Sequence, residues 1–320
     1  MAKTKRLFKS FSRLLFPVVI LIVVAIIAAS VWLIHTASHP AAAAYLVTPE
    51  KYGLLSARGA KVTDENWTNR DGSASRGWLL RGTENAPAVI LLHRYGTDRS
   101  HVLDLGIKLN EATNFTVLMP DLRGHGVSPK VNYTSFGGCE SDDVLAALAF
   151  LRGLKTEAQT PLIGQNIGLY GVEIGALAAL SAAAKDESIK SLTLDSVPEN
   201  SNEILASAIN SRFPFASFLT SKLAQYGTYP YFYDGCYQRN SMCETAKLLS
   251  NRQILLLAGA DAPQFQDSTD KIAKCFPPNS KVEAKTDLNP SGYSIIKGSI
   301  EQTENYDRRV IEFFQMSLSK

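Results

Sequence analysis

Histidine is scarce in this sequence: there are five among 320 residues, and none lies beyond His125. Chemistry that needs an imidazole base from the C-terminal part of the chain is thereby excluded. Cysteine is scarce too. Cys139, Cys236, Cys243 and Cys275 form no C-x-x-C pair and have no histidine at metal-ligand spacing, so no metal cluster or other cofactor is expected. Two readings of these thiols stay open: a local Cys236–Cys243 disulfide outside the cytoplasm, or four buried thiols. No strong excess of one charge exists. The net charge is +3, and it resides in a tail holding Lys3, Lys5, Arg6, Lys9 and Arg13 with no acidic residue. The remainder is slightly acidic, so nothing argues for a nucleic-acid partner. There is no internal repeat and no low-complexity array. With 45% hydrophobic and 20% charged residues, the composition is that of a globular protein.

One long hydrophobic run is present. "PVVILIVVAIIAASVWLI", Pro17 to Ile34, is uncharged and close to the ~20 residues that cross a bilayer. Basic residues precede it and none follows soon after, which predicts a cytoplasmic N-terminus and an extracytoplasmic remainder. The expected organisation is a basic cytoplasmic tail (1–16), a transmembrane anchor (17–34), a linker (35–59) and a folded domain (60–320). A cleaved signal peptide is the competing reading, because "TASHPAAAAY" offers small residues to a peptidase, although the run exceeds the ~7–15 residues of a usual signal core. Asn66, Asn114 and Asn132 head N-x-T triplets, which matter only in a glycosylating secretory pathway.

Beyond the linker, apolar runs alternate with helical patterns. Strands are expected at "RGWLLRG", "AVILLHRYG", "FTVLMP", "IGLYG", "IKSLTLDS", "QILLLAGAD" and "KVEAKTD". Helices are expected at "SHVLDLGIKLNEA", "ESDDVLAALAFLRGL", "EIGALAALSAAA", "DSTDKIAKCF" and "YDRRVIEFFQMSL". This alternation implies an α/β fold with a mostly parallel central sheet and flanking helices. It is interrupted at about 197–250 by an aromatic-rich stretch, "RFPFASFLTSKLAQYGTYPYFYDGCY", read as a helical cap. Its aromatics suit cap packing, or a small-molecule or acyl ligand held beneath it.

"LYGVEIGALAAL", Leu169 to Leu180, has the frame of a nucleophile elbow, G-x-S-x-G, with Glu173 where the serine belongs. Together with "VILLHRYG" and the D-x-R-G-x-G-x-S turn in "VLMPDLRGHGVS", taken in order from about Lys61 to the C-terminus, it resembles the α/β-hydrolase superfamily, especially esterase-like and serine-aminopeptidase-like members. The resemblance implies an α/β-hydrolase fold with a cap, preceded here by one transmembrane helix. It assigns Glu173 to the nucleophile position and Asp261 to the acid position, with Asp195 as fallback. Tyr293, in "LNPSGYSIIKG", sits near the place of the base histidine. His93, Arg94, Tyr95, Val172, Ile174 and His125 fall around the oxyanion site.

Three departures coincide: no serine at the elbow, no C-terminal histidine, and Arg94 in place of a glycine in the oxyanion loop. Three functional readings follow. A Glu173 carboxylate nucleophile would still need a histidine to activate water. Displaced chemistry would use His93 or His125 with Ser128 or Ser196. A hydrolase-like binding or scaffold domain would turn the Glu173 carboxylate into the former oxyanion site and pair it with Arg94. The departures favour the last.

Overall fold

The computed structural model describes residues 2–41, 45–53 and 61–319, with the side chains of residues 2–14 outside that description. The parts of the expected linker at 42–44 and 54–59, residue 60 of the expected domain, and the basic side chains of the tail therefore lie outside the described residues. In chain order the elements are α1 (Ala2–Ser38), α2 (Pro49–Gly53), β1 (Val62–Thr68), β2 (Ala74–Leu80), β3 (Ala86–Leu92), α3 (Leu103–Thr113), β4 (Thr116–Pro120), α4 (Glu140–Gly153), β5 (Ile163–Val172), α5 (Ile174–Lys185), β6 (Ile189–Asp195), α6 (Ser201–Arg212), α7 (Ser217–Tyr231), α8 (Met242–Ala246), β7 (Gln253–Gly259), α9 (Pro263–Ala273), β8 (Lys281–Leu288) and α10 (Ile300–Leu318). They fall into two compact units: residues 38–204 with 236–320, and residues 1–37 with 205–235.

The first of these units is built on one eight-stranded sheet of order β1-β2-β4-β3-β5-β6-β7-β8. β2 runs antiparallel to β1 and β4, and the pairs from β4 through β3 to β8 are parallel. β3 and β7 read as near-continuous apolar runs because both faces are covered, as in parallel sheets generally. One face packs Val89, Leu91, Tyr170 and Leu257 against Leu105 and Leu109 of α3 and Val310 and Phe314 of α10. β1 carries no such run. "VTDENWT" is a half-exposed edge strand, and its polarity hid it from the pattern of apolar strands. From β3 the chain passes to β4 on one side and later to β5 on the other. This reversal opens a switch point at the strands' C-terminal ends, the usual place for a ligand.

Two disulfides, Cys139–Cys236 and Cys243–Cys275, correct both readings of the thiols. Sequence proximity suggested Cys236 with Cys243. Folding instead brings α8 against α9, setting Cys243 and Cys275 at a Cα separation of 5.3 Å, while Cys139 and Cys236 lie 5.0 Å apart.

The second unit contains α1, the last part of α6, and α7. Among the described residues one helix is long and apolar enough to cross a membrane, Leu15–Ser38, with mean hydropathy 3.0. It contains the expected span and runs past it on both sides. The stretch expected as a cap is divided: 205–235 clusters with α1, whereas its flanks belong with the sheet.

Candidate active site

The elbow is real in its backbone. β5 ends at Val172, α5 begins at Ile174, and Glu173 between them has φ +52° and ψ −107°. A non-glycine residue held there stores about 1–3 kcal/mol of strain, which persists only where surrounding structure enforces it. The two glycines supply that enforcement. A Cβ on Gly175 would lie 2.6 Å from the Leu92 carbonyl oxygen and 2.7 Å from that of His93, so only glycine lets α5 seat against β3. A Cβ on Gly171 would strike the backbone of Gly175. The Glu173 N–H donates to the Asp195 carbonyl at 2.9 Å, tying the turn to β6.

The side chain of Glu173 turns inward and is 1% exposed. One carboxylate oxygen, Oε2, accepts the backbone N–H of Tyr95 at 2.9 Å. Tyr95 lies on the loop after β3, which supplies one donor of the oxyanion hole in hydrolase elbows. The carboxylate thus occupies the Tyr95 N–H of this loop. Burial is the largest influence on its acidity and pushes its pKa up to about 7, against the opposing pull of the Arg94 charge and the Tyr95 hydrogen bond.

The expected Glu173–Arg94 ion pair does not form. Arg94 holds its guanidinium 4.7 Å over the ring of Tyr293 and donates Nη1 to the Tyr95 carbonyl at 3.3 Å, while its buried Nε has no partner. A cation over an aromatic face is attracted by the ring quadrupole. Arg94 therefore acts on Glu173 through the field and not through a contact.

Neither histidine is placed as a base. His93 is fully buried; its Nε2 accepts the Leu122 N–H at 3.0 Å, so Nδ1 carries the proton and donates to the Arg94 carbonyl at 2.8 Å. Burial drives its pKa down to about 4 and the ring is neutral. His125 packs edge-on to His93 and to Tyr95, with ring centroids 5.2 and 5.5 Å away. Its Nδ1 lies 2.9 Å from the Arg123 carbonyl, Nε2 is buried without a partner, and burial lowers its pKa to about 4. The turn that contains it is structural. Arg123 is gripped by Asp143 at 2.6 and 2.7 Å, and Asp121 accepts from Arg76 and from the Arg99 N–H. Ser196 is fully buried and donates to Asp195 Oδ1 at 2.7 Å, so it faces a carboxylate and not a base.

Asp261 stands just past the end of β7, where the acid is expected. Asp261 spends both oxygens on Ser291, accepting its N–H at 3.0 Å and its hydroxyl at 2.9 Å. The donor in both bonds is Ser291, two residues before Tyr293; Tyr293 lies against Phe265 and beneath Arg94. Asp195, the fallback acid, is fully buried and accepts from the Gly292 N–H and the Tyr306 hydroxyl, each at 2.8 Å. Both carboxylates thus hold the loop that would carry a catalytic histidine. Ser291 and Tyr306 were missed; the only signal was that Ser291 adjoins the glycine of the same loop. Val172 and Ile174 flank the elbow as fully buried core residues. Among the described residues no group of His, Cys, Asp and Glu is arranged to hold a metal ion.

Solved structures share this framework. An esterase of Pyrococcus furiosus superposes with a TM-score of 0.62 at 20% identity, covering 88% of this chain and 98% of the esterase. A dienelactone hydrolase of Anabaena variabilis gives 0.54 at 12% identity, covering 81% and 99%. An acylaminoacyl peptidase of Pyrococcus horikoshii gives 0.57 at 16% identity, covering 82% of this chain and 42% of the peptidase. No family model and no curated protein matches the sequence. The chain has the α/β-hydrolase fold, with a mostly parallel eight-stranded sheet and flanking helices.

Proposed function

We propose that this chain is a membrane-anchored pseudo-hydrolase, a binding or scaffold domain on the α/β-hydrolase fold. The observation that carries this reading is the buried Glu173 carboxylate on the Tyr95 N–H. Acyl transfer needs a nucleophile, a base to take its proton and donors for the oxyanion. Here the nucleophile position is a closed carboxylate and its donor is occupied. Ser291 stands where a base would meet the acid. A fluorophosphonate probe on the full chain tests this, since labelling requires an activated serine. No labelling is expected; stoichiometric labelling at Ser128, Ser196 or Ser291 would contradict it.

The apolar helix at Leu15–Ser38 supports an uncleaved anchor with its N-terminus in the cytoplasm. The two disulfides support an oxidising compartment for the sheet domain, as expected outside the cytoplasm.

One feature favours an active hydrolase: burial pushes the Glu173 carboxylate's pKa up to about 7, which suits general-base work. That reading requires turnover that rises with pH through about 7 and disappears in Glu173→Gln.

A further inference from the structure

Helix α7 has two unlike faces. One is small: Ser221, Ala224, Gly227 and Thr228 are buried. Gly227 comes so close to α1 that a Cβ there would run into the Ser30 carbonyl. Small residues of this kind let two helix backbones touch, as they do inside membranes. Neighbouring contacts extend the seam: Trp32 lies 5.8 Å from Phe213, His35 hydrogen-bonds the Tyr231 hydroxyl at 3.1 Å, and Arg212 donates to the Thr36 carbonyl.

The other face is large, aromatic and uncovered. Phe218, Leu219 and Tyr226 recur at helical spacing and are exposed, Phe218 at 79%, and Phe215 in the turn before the helix is completely exposed. An apolar stripe on the outside of an amphipathic helix marks a surface meant for an apolar partner. The only charged residues from 205 to 233 are Arg212 and Lys222, both basic.

The seam fixes the depth of this face. The apolar helix starts at Leu15. At about 1.5 Å per residue, Ser30 stands roughly 22 Å along it and Thr36 roughly 31 Å, against a hydrocarbon core of about 30 Å. With α1 read as the anchor, the residues touching Ser30 to Thr36 run from about 8 Å inside the hydrocarbon core to its outer boundary, where aromatic rings gather and basic side chains meet lipid phosphates.

We propose that α7 and the turn before it form an interfacial membrane-binding element whose Phe215, Phe218, Leu219 and Tyr226 enter the outer leaflet. The occupant is a phospholipid bilayer, and the inference rests on reading α1 as an anchor.

The test uses the full chain in nanodiscs of phospholipid brominated at defined acyl depths. In a Trp32→Phe background, Phe218→Trp reports the proposed element and Leu21→Trp reports the anchor; Trp67 and Trp78 give a constant baseline. Bromines near the carbonyl end are expected to quench the Phe218→Trp signal about two-fold, and mid-bilayer bromines to quench Leu21→Trp most. If Leu21→Trp is quenched while Phe218→Trp is open to iodide and untouched by bromine, the proposal fails and the anchor stands. A Phe218→Trp signal shielded from both quenchers indicates a protein neighbour and also overturns it. If Leu21→Trp is not quenched, the anchor reading falls and this inference falls with it.

Discussion

Glu173 is a residue whose ionisation works against its surroundings. Its ordinary value of 4.5 is raised to about 7 in the fold, so between these limits the folded chain holds a proton that the unfolded chain has released. Stability then falls as pH rises across that window and levels off above it, a loss of about 3 kcal/mol from this group. Glu173→Gln removes the ionisation and keeps an acceptor for the Tyr95 N–H. The stability of the Gln variant relative to the native chain should therefore climb by about 3 kcal/mol between pH 4.5 and 8, as measured by denaturant unfolding. A flat difference would show that the carboxylate is not in the buried site. At Gly175 the argument is steric. Gly175→Ala places a methyl group against the carbonyls of Leu92 and His93 and should cost about 1–3 kcal/mol, read as a lowered midpoint in the same assay.

At the scale of elements, the elbow and the loop at Ser291 are held from different directions. The elbow is legible in "GVEIG" because its glycines and the adjoining apolar strand and helix are local signals. The parallel strands are legible for the same reason: burial on both faces writes an apolar run. Where the cause is tertiary, the sequence is silent. β1 is polar because it is an edge, and Ser291 meets Asp261 only because the loop folds back to the end of β7. The resemblance puts Tyr293 near the histidine's place, and it is the neighbouring Ser291 that donates to Asp261. Likewise, opposite charges suggested that Arg94 grips Glu173, whereas the guanidinium settles on Tyr293. Ser291→Ala removes a hydroxyl from a carboxylate and leaves Asp261 with one partner. It should cost about 1–3 kcal/mol, measured by thermal unfolding.

Over the whole molecule, the long-range constraint is covalent. Cys139–Cys236 spans 97 positions and Cys243–Cys275 spans 32. Closing loops of that size restricts the unfolded chain, so replacing Cys139 and Cys236 with serine should lower stability by about 2–5 kcal/mol. Non-reducing peptide mapping should recover both pairs from material taken outside the cytoplasm. The stretch read as a cap, at about 197–250, divides in the structure: its middle part, 205–235, clusters with α1.

The central claim is that the hydrolase elbow is kept and its chemistry is closed by Glu173. The measurement that tests it most directly is turnover of a broad panel of carboxylic esters by the full chain, beside Glu173→Ala and His125→Ala. Rates indistinguishable across the three proteins and from buffer are predicted. Turnover by the native chain that either substitution abolishes would contradict the claim.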